Sequence, residues 1–103
     1  MARRPPGPLR PLAQAAAIAG LSPDDRVTVR AGLRWRLAPG GDDRVALHVF
    51  DRTLTLPAGC VPALRVLLTG RATRVGDLPG LDTDDDRLVL ARRLLREAIL
   101  TPT

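Results

Sequence analysis

Between Val27 and Leu56 apolar residues recur at every second position: Val27 and Val29, then Leu33, Trp35 and Leu37, then Val45, Leu47 and Val49, then Leu54 and Leu56. A period of two sends alternate side chains to opposite faces of a strand. This half of the chain is therefore expected to form a sheet with one buried face, while Arg34, Arg36 and His48 point the other way. Pro39-Gly40-Gly41-Asp42-Asp43 supplies the residues a hairpin turn needs, and Asp51-Arg52 makes a second tight connection into Thr53–Leu56. Pro57 has no N–H to give a ladder and closes the last strand. The pattern predicts a three-stranded β-meander.

After Pro57 the period becomes helical. Val61, Leu64, Val66, Leu67 and Leu68 outline one helix, with Pro62 tolerated in its first turn and Gly70 as its C-terminal stop. A shorter helix or turn is expected from about Thr73 to Leu78, ended by Pro79-Gly80. The last helix has the clearest signals: Thr83 as N-cap, Asp84, Asp85 and Asp86 in the first turn, and Arg92, Arg93 and Arg96 toward the C-terminal half, each sign matched to the helix dipole. Leu88, Ala91, Leu95 and Ala98, with Leu94 and Ile99, form its expected buried stripe, and Glu97 is placed to pair with Arg93 one turn back. Upstream, Leu12–Leu21 is rich in helix formers and predicts a short N-terminal helix ending at Gly20. The expected fold class is α+β: a winged helix, with a small three-stranded antiparallel sheet followed by three helices.

With 103 residues the chain has room for one modest core and not for two lobes around a deep cleft. Residues 12–103 are expected to form that single domain. Residues 1–11 hold four prolines and three arginines, Arg3, Arg4 and Arg10, a composition that favours an extended tail. Leu12–Leu21 after this basic start imitates a signal-peptide core, but it is dominated by alanine and too short to span a bilayer. Trp35 and Phe50 are the only aromatic residues, so the core must be built from Leu, Val and Ala, and the stacking platforms of many single-strand nucleic-acid binders are missing.

All 16 basic residues are arginine, and the net charge is +5. Two readings fit: a GC-rich genome that writes Arg codons wherever a cation is needed, or selection for two-pronged contacts to carboxylate or phosphate. Cys60 is the only cysteine, which rules out an intrachain disulfide and a cysteine-built zinc site and fits a reducing cytoplasm.

From about Gly32 onward, the stretches LRWRL, VALHVF, DRTLTLP and GDLPGLDTDDDRLVLARRLLREAIL resemble the winged-helix tail of bacterial JmjC-type cupin proteins, the family that includes ribosomal oxygenases. The chain is also similar in layout to the PqqD-like recognition elements of ribosomally made, post-translationally modified peptides (RiPPs), which bind a leader peptide. The cupin resemblance implies iron- and 2-oxoglutarate-dependent chemistry somewhere in that family. One histidine, however, cannot supply the two-histidine, one-carboxylate triad such an iron needs, so only an accessory module carries over.

Individual residues offer little chemistry. His48 stands mid-strand with no second histidine to share a metal, and reads as an ordinary strand histidine. Cys60 opens a helix, where the dipole favours a thiolate, but its neighbours are apolar and it reads as a small buried hydrophobe. Asp82, Asp84, Asp85 and Asp86 are dense enough to suggest calcium or magnesium. They lack the alternate ligand spacing, central glycine and closing glutamate of an EF-hand loop, and helix capping explains them. Gly40-Gly41-Asp42-Asp43 is similar to the signature of diguanylate cyclases, a domain longer than this chain, and a hairpin turn explains it in full. No phosphate-binding loop, dinucleotide fingerprint or nucleophile elbow occurs, so neither an enzyme nor a cofactor is expected.

Two binding surfaces follow from the expected fold. In one, Thr53, Leu54, Thr55 and Leu56 form an edge strand to which an extended peptide adds, while Val89, Arg92, Arg93 and Arg96 on the last helix meet its side chains. The same arginines would equally form an ordinary solvated face. In the other, the last helix enters a DNA major groove, and there Asp84, Asp85 and Asp86 would meet the phosphate wall with the wrong sign. The expectation is a peptide or protein partner, a precursor peptide or a partner enzyme among the candidates, with a DNA-binding regulator as the alternative and no membrane.

Overall fold

The computed structural model describes residue 16, residues 18–49 and residues 52–103. The expected Arg/Pro-rich tail and most of the expected N-terminal helix lie outside these residues. Of that helix, Ala16, Ile18 and Ala19 are helical, and the Gly20 N–H closes on the Ala16 carbonyl at 2.9 Å.

The expected meander is present as β2 (Trp35–Pro39), β3 (Arg44–Val49) and β4 (Arg52–Pro57), an antiparallel sheet in the order β2-β3-β4. Its register sets Leu37 against Leu47 and Leu47 against Leu54, so one face is apolar across all three strands. Leu47 at the centre is fully buried, with Val45, Leu54 and Leu56 around it. Trp35 departs from expectation. It lies on the apolar side, yet it opens an edge strand at the rim of the core and stays 41% exposed.

A three-stranded sheet followed by three helices does not describe the rest. There are two three-stranded antiparallel sheets and two helices of defined extent, α1 (Val61–Leu67) and α2 (Asp84–Arg96), so the winged-helix expectation is overturned. The second sheet has the order β5-β1-β6, built from β1 (Arg26–Val29), β5 (Thr73–Arg74) and β6 (Leu100–Pro102). Val27 and Val29 look like the first beat of the meander, but the Leu33 N–H turns back to the Arg30 carbonyl at 3.1 Å and Gly32 takes φ 78°. A residue with no Cβ permits that left-handed corner, and β1 is thereby cut away from β2. It pairs instead with segments that follow the meander.

The expected middle helix is replaced by β5 and a 3-10 turn, Val75–Asp77. Its backbone groups are satisfied sideways and not within a helix. Val75 N–H reaches the Asp25 carbonyl at 2.9 Å, and Gly76 N–H reaches that of Pro23 at 2.8 Å. Gly76 packs so closely on Pro23 that a Cβ there would come within 3.1 Å of its carbonyl oxygen. The final helix is also shorter than its apolar stripe implies. Ala98 adopts φ 59°, Ile99 N–H bonds the Leu94 carbonyl at 2.9 Å, and the chain leaves the helix to run back along β1 as β6.

Both sheets and both helices share one core. Val27, Leu47, Leu64, Leu67, Val75, Leu78, Leu94, Ile99 and Leu100 belong to a single buried cluster with almost no exposed surface. Among the described residues every buried side-chain nitrogen or oxygen has a hydrogen-bond partner. No helix among them is long and apolar enough to cross a membrane.

Two substitutions test this architecture by denaturant unfolding followed through Trp35 fluorescence. Leu47→Ala is expected to cost about 3 kcal/mol, since it opens a cavity beneath the central strand. Ala98→Gly is expected to stabilise the chain by up to about 1 kcal/mol, because glycine relieves a left-handed backbone. If α2 continued through Ala98, as its sequence pattern suggests, the same change would destabilise by a similar amount.

Candidate functional site: the free edge of β4

The edge strand β4 follows from its register. Ala58 N–H bonds the Asp43 carbonyl at 2.8 Å, continuing the β3–β4 ladder one step past Arg44–Pro57. Bonded pairs alternate along an antiparallel ladder, so Leu56, Leu54 and Arg52 direct their backbone groups at β3. Thr53 and Thr55 direct theirs outward. Among the described residues nothing pairs with that side of β4. The outward edge therefore offers the N–H groups of Thr53 and Thr55 and the carbonyls of Thr53, Thr55 and Pro57.

The expected site residues divide into three groups. Leu54 and Leu56 are buried, so only their main chain borders the site, while Thr53 and Thr55 are exposed. The Thr53 hydroxyl lies 2.8 Å from His48 Nδ1 across the strand pair. Val89, at 65% exposure, and Arg93 and Arg96 recur at helical spacing on the open side of α2, and neither arginine makes an ion pair among the described residues. Arg92 serves the fold. It is half-buried, and its Nε and Nη2 reach the carbonyls of Ile18 at 3.2 Å and Leu21 at 3.5 Å, tying the N-terminal segment to the helix.

The residue that joins these parts was not signalled by pattern. Arg52, the first residue of β4, donates from Nη2 to the Glu97 carbonyl, and its Nη1 lies 3.7 Å from the Glu97 carboxylate. This contact brings the C-terminal end of α2 to the start of β4, and it takes the carboxylate expected to pair with Arg93. Only a glutamate just beyond the helix and an arginine just inside a strand mark it in sequence, and neither position is periodic.

Thr83 caps α2 as expected, its Oγ1 accepting from the Asp86 N–H at 3.1 Å. Of the clustered aspartates, Asp84 is engaged by Arg87, which donates to its carboxylate and to the carbonyls of Leu78 and Leu81, each at 2.9 Å. Among the described residues no group of three His, Cys, Asp or Glu side chains is placed to hold a metal ion. Arg74 bridges Asp24 at 2.7 Å and Asp77 at 3.1 Å, and these contacts, Asp24 foremost, push its pKa further up.

Cys60 is buried beneath the start of α1, and burial, with a smaller contribution from the Asp86 carboxylate, pushes its thiol up from 9.0. The helix end does not produce a thiolate. No family model matches the chain, and neither does any curated protein.

The Cys60 shift makes a prediction with a definite sign. A raised pKa means that the folded chain holds its proton to higher pH than the unfolded chain. Its contribution to stability is complete below the ordinary thiol value and is lost as pH rises through the folded one. Unfolding free energy should therefore fall above about pH 9, and Cys60→Ser should remove that part of the fall. A thiol reagent should spare the native chain in mildly alkaline buffer and modify one thiol per chain in denaturant; rapid stoichiometric labelling of the native chain would contradict a buried Cys60.

Proposed function

We propose that this chain is a non-catalytic recognition module that takes an extended segment of a peptide or protein partner onto β4 as a further strand. The observation that carries the reading is the free edge at Thr53 and Thr55, whose backbone groups point away from β3 while the flanking Leu54 and Leu56 anchor the strand in the core. Strand addition needs a row of unpaired donors and acceptors on a strand that does not itself move. The open face of α2, a helix whose C-terminal end is tied to β4 through Glu97 and Arg52, carries Val89, Arg93 and Arg96 and would supply an apolar contact and positive charge for the partner's side chains. In this reading the partner is a precursor peptide, or the chain of an enzyme this module accompanies, in the cytoplasm; the resemblance to PqqD-like elements and to cupin tails adds no support, because it rests on a winged-helix layout that the chain does not form.

The DNA-regulator alternative depends on a winged helix, which the chain does not form. It also needs a reading helix whose N-terminal turn tolerates phosphate, and Asp84, Asp85 and Asp86 occupy that turn. The strand-addition reading accounts for more of the observed surface.

A proline at position 55 tests it. Thr55 N–H points outward and contributes nothing to the β3 ladder, and the residue before it is already extended, so Thr55→Pro should fold with little loss of stability. It should abolish partner binding, because one of only two outward donors is gone. Leu54→Pro, which removes a donor to β3, should unfold the chain instead. Arg93→Glu should weaken an acidic partner while the melting temperature stays in place. Binding that survives Thr55→Pro unchanged would rule out strand addition at β4.

A further inference from the structure

The outer face of the β2-β3-β4 sheet carries Arg36, Arg44 and His48, with the exposed Thr53 and Thr55 on β4 and Arg34 just before β2. The register sets Arg36 directly across from His48 and His48 across from Thr53. Arg34, Arg36 and Arg44 are exposed and make no ion pair among the described residues. No carboxylate stands on this face among those residues. The nearest, Asp42 and Asp43, belong to the hairpin loop beside Arg44 and are not bridged to it, while Glu97 is engaged by Arg52. Like charges gathered on one sheet face repel one another, and nothing described on that face offsets them.

We propose, resting on the strand-addition reading above, that the added strand carries acidic side chains at alternate positions and that this face reads them. Thr53 and Thr55 supply the outward backbone groups, and their side chains stand on the charged face. In an antiparallel pair directly opposed residues share a face, so ligand residues opposite Thr53, Thr55 and Pro57 project over the arginines. Intervening ligand residues project to the core side. Arg44 sits opposite Pro57, two strand spacings or about 10 Å from the added strand, and only the low pyrrolidine ring lies between. An extended guanidinium spans that gap to a ligand carboxylate, while Arg36 and Arg34 act through their field. A polypeptide fits better than a nucleic acid, because the free edge presents amide donors and carbonyls at a peptide's repeat. No aromatic side chain among the described residues stands on this face to stack a base.

The test uses the whole chain and three labelled probes in fluorescence anisotropy: a short peptide alternating Glu with Val, an isomer of the same composition with its Glu residues in one block, and single-stranded oligouridylate. The alternating peptide is expected to bind at least about tenfold tighter than the block isomer, about 1.4 kcal/mol. Arg36→Glu with Arg44→Glu should erase that preference, Arg44→Gln should reduce it, and Thr55→Pro should abolish binding of both peptides. Equal affinity for the two peptides, still lost in Thr55→Pro, would overturn the acidic alternation and leave strand addition standing. Tighter binding of oligouridylate that ignores Thr55→Pro, or no binding of either peptide, would overturn both.

Discussion

The fold depends on a short strand, β1, being paired along both edges by segments that arrive late in the chain. Val27 sits fully buried between Thr73 of β5 and Pro102 of β6. Bonds at each end extend the clamp: Asp25 with Val75 and Pro23 with Gly76 on one side, Arg30 with Ile99 and Arg26 with Thr103 on the other. These pairings close loops of roughly half to three quarters of the chain. The entropy of closing a loop rises only slowly with its length, so a few well-made bonds and one buried valine are enough to hold it. Because β6 leaves α2 directly, the clamp also fixes where that helix ends, and through Arg52 and Glu97 it fixes the helix end against β4. The candidate edge is thus positioned in part by pairings within the other sheet.

Much of this was legible in the sequence wherever a period repeats. The alternation through Leu37, Leu47, Leu54 and Leu56 predicts the meander, its buried face and the outward direction of Arg34, Arg36 and His48, and Pro57 marks its end. Thr83 and the aspartates after it announce the last helix, and the apolar surroundings of Cys60 announce its burial. What escaped has no period. β5 is two residues long and β6 three, too short to show alternation, and each is defined by a partner far away. Leu94, Leu95, Ala98 and Ile99 read as part of one continuous helical stripe, and only the left-handed backbone at Ala98 separates helix from strand. The winged-helix expectation failed at these points, because tertiary pairing overrode local propensity.

The arginines sort by what they touch. Arg87 and Arg92 each donate through more than one nitrogen to main-chain carbonyls, and Arg52 grips both the carbonyl and the carboxylate of one residue. A lysine ammonium is a point donor on a flexible stem and would not bridge two carbonyls in a fixed plane. For these positions the absence of lysine has a physical reason. Arg34, Arg36, Arg44, Arg93 and Arg96 lie exposed without a described ion pair, so any reason for their charge lies outside the contacts of the fold.

The free edges of the meander narrow what a partner must provide. A long, flat, apolar edge invites aggregation, and both edges here are blunted at the same end of the sheet by a proline, Pro39 on β2 and Pro57 on β4. Each is left with two outward N–H groups: Trp35 and Leu37 on β2, Thr53 and Thr55 on β4. The two edges are not equivalent. At β2 the outward groups belong to residues whose side chains turn toward the core, so a strand added there sets its matching side chains beside half-covered apolar surface. At β4 they belong to threonines on the arginine-bearing face. Two donors give a short ladder, and a net hydrogen bond contributes only about 1 kcal/mol. An edge this brief discriminates poorly by main chain alone, so selectivity has to come from side chains: Arg36 stands on β2 itself and Arg44 one strand in from the β4 edge, where the two threonines set the added strand's matching side chains on the arginine-bearing face.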